Sequence, residues 1–154
     1  RILEKIKLRL LVVGEFYGDE NVHRKQVAAL GLAQNVSVYS EYVPNEDVAT
    51  YFSACDVVVL PYVSATQSGI VQIAYQFDKP VIATDVGGLA EVVLDKKTGF
   101  IVPPENPNAL ADAVVRFYKE KREQLFRTNV LKEKKKYNWN NLVKGIEQLV
   151  ESGK

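Results

Sequence analysis

The chain has 154 residues, of which 47% are hydrophobic and 25% charged, and its formal net charge is +1. This composition is ordinary for a folded domain, and the length is sufficient for one hydrophobic core. The balanced charge argues against a nucleic-acid-binding protein, which normally has a concentrated basic excess, and against a disordered tail. The single cysteine, Cys55, excludes a disulfide within the chain and is predicted to be a small buried hydrophobe.

Apolar runs of strand length alternate with segments of helical periodicity. Strands are predicted over residues 8–13, 36–39, 57–60, 81–84 and 99–102, and helices over 21–30, 45–55, 69–77, 89–94 and 107–119. Two further helices are predicted, over 120–137 with a break near Thr128, and over 140–151. The alternation predicts an α/β fold with a Rossmann-like parallel sheet and helices on both faces. We expect one domain over 1–154, with its C-terminal helices at about 107–152.

The chain begins with Arg1 rather than Met, and residues 1–7 resemble the end of a helix, so we expect a fragment of a longer protein. No signal peptide is expected, and the sequence has no run of the roughly 20 apolar residues that a membrane-spanning helix needs. A cytoplasmic location is therefore predicted. The basic run at 132–136 is expected to be a solvated helix face, with contact to anionic lipid at the inner face of the membrane as the alternative.

In an open parallel sheet, ligands bind beyond the carboxyl ends of the strands. The segment 64–71 leads from a buried strand into a helix, with the hydroxyls of Thr66 and Ser68 near the helix start. The first N–H groups of a helix have no internal partner, and the helix dipole favours negative charge there. This start is therefore either an anion site suited to a diphosphate or a helix that Ser68 or Thr66 caps.

Two other glycine-containing loops follow strands. Gly87-Gly88 is either a simple turn or a place where the backbone approaches another group closely. Glu91, one turn into the following helix, could cap backbone N–H groups or contact a ligand. The segment from Gly14 to Gly18 has only a weak G-x-x-x-G pattern, which lacks the dinucleotide fingerprint and the Walker lysine.

Other site chemistry has little support in the sequence. The only histidine, His23, is predicted to lie on a helix surface, and there is no Cys/His cluster for zinc. A G-x-S-x-G nucleophile elbow is absent. No metal and no cofactor are expected.

Several motifs occur in one order along the chain. They are LVVGE at 11–15, VPNEDV at 43–48, ACDVVVLP at 54–61, KPVIATDVGGLAE at 79–91, TGFIVP at 98–103 and Asn138-Trp139. In this order and spacing the chain resembles the C-terminal domain of retaining glycosyltransferases of the GT-B fold, the glycosyl transferases group 1 family. The resemblance implies a nucleoside-diphosphate sugar as donor substrate. It also implies an acceptor domain, and a first strand with a basic pair, before Arg1.

The resemblance implies roles for particular residues. Main-chain N–H groups at the helix start would hold the diphosphate, and they belong to Ser68, Gly69, Ile70 and Val71. The nucleoside would lie near Gly14, Glu15, Glu41, Tyr42 and Val43. Many family members carry two glutamates eight positions apart around this helix, where this chain has Ala65 and Ile73. Thr66 or Gln67 would then contact the donor sugar, with Gly87, Gly88 and Glu91 as a supporting loop.

The predicted function is sugar transfer with retention from a nucleoside-diphosphate sugar to a glycan or lipid acceptor, in polysaccharide or cell-envelope synthesis. The full-length protein would carry this activity and the isolated chain would be inactive. Ala65 and Ile73 favour a rival, a non-catalytic nucleotide-sugar-binding module. Further rivals are a sugar-nucleotide epimerase and a phosphatase on a similar scaffold. Analysis of the reaction products would distinguish either of them from a glycosyltransferase. A signalling receiver lacks support, because no acidic cluster follows the first strand.

Overall fold

The computed structural model describes residues 1–137, 143, 146–148 and 150. The chain divides into two compact units, 1–51 and 52–154. Each unit contains its own parallel sheet, one of two strands and one of three. The prediction of parallel strands with alternating helices is confirmed, whereas a single domain over 1–154 stays a prediction.

The first unit contains a pair of parallel strands and the helices that connect them. Its elements are α1 (Ile2–Lys5), β1 (Leu10–Val13), α2 (Glu20–Ala29) and β2 (Val36–Tyr39), and α3 (Asn45–Ala54) continues into the second unit. The register aligns Leu10 with Val36 and Val13 with Tyr39. The carboxyl ends of both strands therefore lie side by side, and the amide of Gly14 extends the pairing by donating to the carbonyl O of Tyr39 at 3.0 Å.

The second unit is built on a three-stranded parallel sheet in the order β3-β4-β5. Its strands are β3 (Val58–Leu60), β4 (Val81–Thr84) and β5 (Gly99–Val102), and its helices are α4 (Gly69–Gln76), α5 (Leu89–Val92), α6 (Pro107–Lys119) and α7 (Glu123–Glu133). All four residues of the central strand β4 are buried. A central strand covered on both faces is a continuous apolar run rather than an alternating one, which explains why this strand was predicted with correct bounds.

Helices cover both faces of this second sheet. One face packs Val81 and Ala83 of β4 against Val71 of α4 and Leu89 of α5. On the other face Phe100, aligned with Ile82 across the sheet, contacts Phe126 of α7 with ring centroids 5.1 Å apart. The buried rings of Phe117 and Phe126 then join α6 to α7 with centroids 6.1 Å apart. These contacts fix the sheet edge from which the loops after β3 and β4 emerge.

Most predicted bounds agree with the structure to within two residues, whereas the helix predicted over 120–137 is replaced by α7, which begins at Glu123, and a following 3-10 helix. The predicted break near Thr128 is wrong, because the Thr128 hydroxyl donates to the carbonyl O of Gln124 at 2.8 Å and α7 continues through it. The helical geometry changes instead at Lys134, where a 3-10 helix (Lys134–Tyr137) begins. Trp139 and the helix predicted over 140–151 lie mostly outside the described residues.

Candidate functional site

The start of α4 is an open helix N-terminus at the carboxyl edge of the three-stranded sheet. Gly69 and Ile70 are exposed, and a Cβ placed on Gly69 would meet no atom within 4 Å. The amide of Val71 donates to the carbonyl O of Ser68 at 3.3 Å. In the described part of the chain the amides of Ser68, Gly69 and Ile70 have no hydrogen-bond acceptor. Three neighbouring donors are thus left without an acceptor at the positive end of the helix dipole.

The capping alternative raised by the sequence is wrong for Ser68. This residue stands at the N-cap position of α4 with extended backbone angles, yet its side chain makes no capping hydrogen bond. Its hydroxyl lies instead 3.4 Å from the hydroxyl of Tyr62. The helix start therefore keeps its free donors even though a serine, one of the favoured N-cap residues, occupies the capping position.

The loop before α4 rests directly on the Gly87-Gly88 turn. The amide of Gly88 donates to the carbonyl O of Thr66 at 2.7 Å. A Cβ on Gly87 would lie 2.0 Å from the carbonyl O of Ala65 and 2.7 Å from that of Thr66. The close approach that this glycine pair suggested is therefore confirmed, and its partner is the protein's own backbone. Since Gly87 also has a φ of +53°, both space and backbone conformation require glycine there.

The predicted sugar-contacting and supporting residues meet at this turn. The side chains of Thr66 and Gln67 are exposed, and Gln67 Cγ would lie 3.5 Å from a Cβ on Gly88. The carboxylate of Glu91 lies on the same side, 3.7 Å from that position. The structure thus brings together Thr66, Gln67, Gly88 and Glu91, and it leaves hydroxyl, amide and carboxylate groups open to solvent beside the α4 start.

Sequence reasoning missed Thr84, which ties this corner to the sheet. Thr84 ends β4, is 4% exposed, and its hydroxyl donates to the carbonyl O of Tyr62 at 2.6 Å, with that of Leu60 at 3.4 Å. The segment between β3 and α4 is therefore held to the end of the neighbouring strand. A buried threonine at the carboxyl end of an apolar strand was the available signal, because a buried hydroxyl normally has a partner.

We expect Thr84→Val to lower the free energy of unfolding by about 1–2 kcal/mol, because the isosteric side chain leaves the part-buried carbonyl O of Tyr62 without its donor. Urea denaturation of the whole chain measures the loss. Thr84→Ser is the matched control, since it keeps the hydroxyl and removes only a methyl group. Equal stability of the valine and wild-type proteins would contradict this role.

The predicted nucleoside-contacting residues lie in the first unit, at the carboxyl ends of its two strands. Gly14 and Glu15 follow β1, and Glu41, Tyr42 and Val43 follow β2 within four residues of Tyr39. Tyr42 is 67% exposed and Glu41 is also exposed, so both side chains are available to a ligand. Their nucleoside contacts stay a prediction.

His23, Cys55 and the basic run, which the sequence also singled out, each contact other groups of the protein. His23 is exposed on α2, as predicted, with its ring 5.3 Å from that of Phe16. Cys55 is half-buried rather than fully buried; its thiol donates to the carbonyl O of Phe52 at 3.3 Å, and burial raises the pKa of this thiol. In the basic run, Lys134 pairs with Asp78 and Lys136 with Glu133.

Within the part of the chain that the structure describes, two other kinds of site have no support. No helix there is both long enough and apolar enough to cross a membrane. No group of three or more histidine, cysteine, aspartate or glutamate side chains is arranged within those residues to hold a metal ion.

Comparison with known proteins gives consistent matches. The family described as "Glycosyl transferases group 1" matches residues 1–120. D-inositol 3-phosphate glycosyltransferase of Pseudarthrobacter chlorophenolicus is 31% identical over 113 residues, which are 73% of this chain and 27% of that protein. The chain therefore spans little more than a quarter of this relative's length.

Solved structures agree with the fold. Sucrose-phosphate synthase of Thermosynechococcus elongatus superimposes with a TM-score of 0.77 at 28% identity, covering 94% of this chain and 38% of that one. HepE of Anabaena, solved in complex with UDP, gives a TM-score of 0.82 at 19% identity over 98% of this chain and 43% of that one. Because the family match covers most of the residues and the α/β fold is that of GT-B glycosyltransferases, this chain belongs to the glycosyl transferases group 1 family.

Proposed function

We propose that this chain is the donor-binding part of a glycosyltransferase, which moves a sugar from a nucleoside-diphosphate sugar to a glycan or lipid-linked acceptor with retention at the anomeric carbon. The observation that supports this most directly is the open start of α4. There the amides of Ser68, Gly69 and Ile70 have no acceptor in the described part of the chain. Backbone donors at a helix N-terminus are well suited to a diphosphate.

The proposed role of these amides is electrostatic. When the bond between the anomeric carbon and the donor's β-phosphate oxygen breaks, negative charge grows on that phosphate. Fixed N–H dipoles aimed at it stabilise the transition state without reorganising at the moment of reaction. The hydrogen bonds from Gly88 to Thr66 and from Thr84 to Tyr62 hold the loop that precedes these amides, and so keep them in place.

The side chains beside the helix start would contact the sugar. Thr66 and Gln67 are exposed there, and the carboxylate of Glu91 lies on the same side of Gly88. Glutamates at positions 65 and 73 would be expected to bind hydroxyl groups of the donor. This chain has Ala65 and Ile73 there, and neither side chain has a polar atom. Hydroxyl recognition in this chain is therefore assigned to Thr66, Gln67 and Glu91.

The rest of the reaction belongs to the whole protein. Acceptor binding and proton handling are assigned to a further domain of the same protein. We further propose that this transfer serves polysaccharide or cell-envelope glycan synthesis. It would take place in the cytoplasm, with at most peripheral contact with the membrane. No resident cofactor or metal is included in the proposal, and the nucleoside-diphosphate sugar is the substrate.

A titration of the chain with UDP and with GDP, followed by amide NMR shifts, tests the diphosphate site. UDP is the first probe because HepE was solved with it. We expect saturable shifts at the amides of Ser68, Gly69 and Ile70, because a charged acceptor replaces water at these donors. Uridine without phosphate is the control, and it should leave these three amides unmoved. Shifts that avoid residues 68–71 at millimolar ligand would contradict the proposed site.

A non-catalytic binding module is the second candidate, and Ala65 and Ile73 favour it. Both positions lack the hydroxyl-binding carboxylates expected there, while the phosphate-facing amides are retained. A transfer assay of the full-length protein with a panel of donors separates the two functions. Donor binding without any transferred or hydrolysed sugar would select the binding module.

A further inference from the structure

Ser68 stands where a serine normally caps a helix, and it does not cap. Its backbone angles, φ −134° and ψ 116°, are those of an N-cap residue, and serine is among the most favoured residues at this position. A free serine hydroxyl there would accept from the amide two or three residues along, that of Ile70 or Val71. The Ser68 hydroxyl is therefore directed away from these donors.

The Tyr62 hydroxyl is the group that engages it, with the two oxygens 3.4 Å apart. Tyr62 is itself fixed at its backbone, because its carbonyl O accepts from the buried hydroxyl of Thr84 at 2.6 Å. The chain of contacts therefore runs from the end of β4, through Tyr62, to the side chain at the start of α4. Tyr62 is half-buried and packs against the buried core cluster of the second unit, and this packing restrains its ring.

We infer that Tyr62 is a positioning residue, which engages the Ser68 hydroxyl and thereby keeps the Ile70 amide open for a phosphate oxygen. The amide of Val71 already donates to the Ser68 carbonyl O at 3.3 Å, so the Ile70 amide is the donor for which serine and phosphate would compete. This inference deepens the proposed function and rests on it. It assigns to Tyr62 a role that acts through Ser68 rather than by contact with the donor.

The test compares Tyr62→Phe, Ser68→Ala and the double variant by two readouts. Without nucleotide, water–amide exchange is measured at Ile70; it should slow about threefold to tenfold in Tyr62→Phe, because the released serine now caps the helix. The Gly69 amide is the internal reference, since an N-cap side chain does not reach the first helical amide. With UDP, the Kd of Tyr62→Phe should rise by a similar factor.

Ser68→Ala removes the competing acceptor, so adding Tyr62→Phe to it should change neither readout. Equal effects of Tyr62→Phe with and without Ser68 would overturn the inference, as would unchanged Ile70 exchange in the single variant. Tyr118→Phe is the matched control, because it also removes a hydrogen-bonded tyrosine hydroxyl. That hydroxyl donates to Asp56 at 3.1 Å, before the amino end of β3 and so away from the start of α4. A wild-type chain that binds no nucleoside diphosphate would contradict the proposed function alone, since the exchange measurement needs no ligand.

Discussion

Replacement of Gly87 by alanine is expected to lower the free energy of unfolding by about 2–4 kcal/mol, through a steric clash combined with backbone strain. The new Cβ would lie 2.0 Å from the Ala65 carbonyl O. Because this distance is far shorter than a van der Waals contact between carbon and oxygen, one of the two backbone segments must move. At a φ of +53° the alanine is also in the left-handed region that L-residues disfavour. Urea denaturation followed by circular dichroism measures the loss.

The same substitution is expected to abolish nucleotide binding at the α4 start. The backbone that Gly87→Ala would crowd is that of Ala65 and Thr66, which leads directly into Ser68 and Gly69. A shift of this loop moves the amides that are proposed to face the diphosphate. The UDP titration should then show no saturable shift at residue 69 or 70.

Two controls separate strain from clash. Gly31 has a φ of +66° and open space around its Cβ position, so Gly31→Ala carries only the conformational cost, about 1 kcal/mol. Gly88→Ala would bring a Cβ to 3.3 Å from the Thr66 carbonyl O, a tight contact that a small shift relieves. A Gly87→Ala protein no less stable than Gly31→Ala would show that the turn does not support the loop.

The bounds of strands and helices were predictable where they coincide with residues that have strong local conformational preferences. The strand β4 lies between Pro80 and the polar Asp85, and its bounds were found correctly from the sequence. Pro107 at the start of α6 likewise marked that helix, and the Asn106 side chain caps it by accepting from the Ala109 amide at 3.0 Å. These are local signals, so one sequence was enough to read them.

Contacts between distant segments were less predictable. The glycine pair indicated a close approach, but not that its partner is the carbonyl O of Ala65, some twenty positions earlier. Ser68 has the local sequence of a capping residue, and only the fold shows that Tyr62 engages it instead. The first depends on how β3 and β4 pair, which places the two loops together. The second lies within one loop, which Thr84 of β4 holds at Tyr62. The division into two compact units, each with its own parallel sheet, was likewise not visible in the alternation of strands and helices.

Gly69→Val is expected to weaken UDP binding by about tenfold to a hundredfold with little change in stability. The wild-type glycine leaves open space above the first turn of α4, since no atom lies within 4 Å of its Cβ position, and its φ is not in the left-handed region. Valine therefore fits the folded chain, and its two methyl groups occupy the volume where a phosphate would lie. Loss of one hydrogen bond to a charged group, about 1.5–3 kcal/mol, sets the size of the effect.

The measurement is the same amide titration, run beside urea denaturation to show that the fold is intact. Gly18→Val is the matched control, because Gly18 also has open space at its Cβ position and no left-handed φ, and it lies in the first unit. It should bind UDP as the wild-type chain does. If Gly69→Val keeps both wild-type affinity and the shifts at Ser68 and Ile70, the phosphates do not lie over the first turn of α4, because a side chain of this size cannot share that space with them.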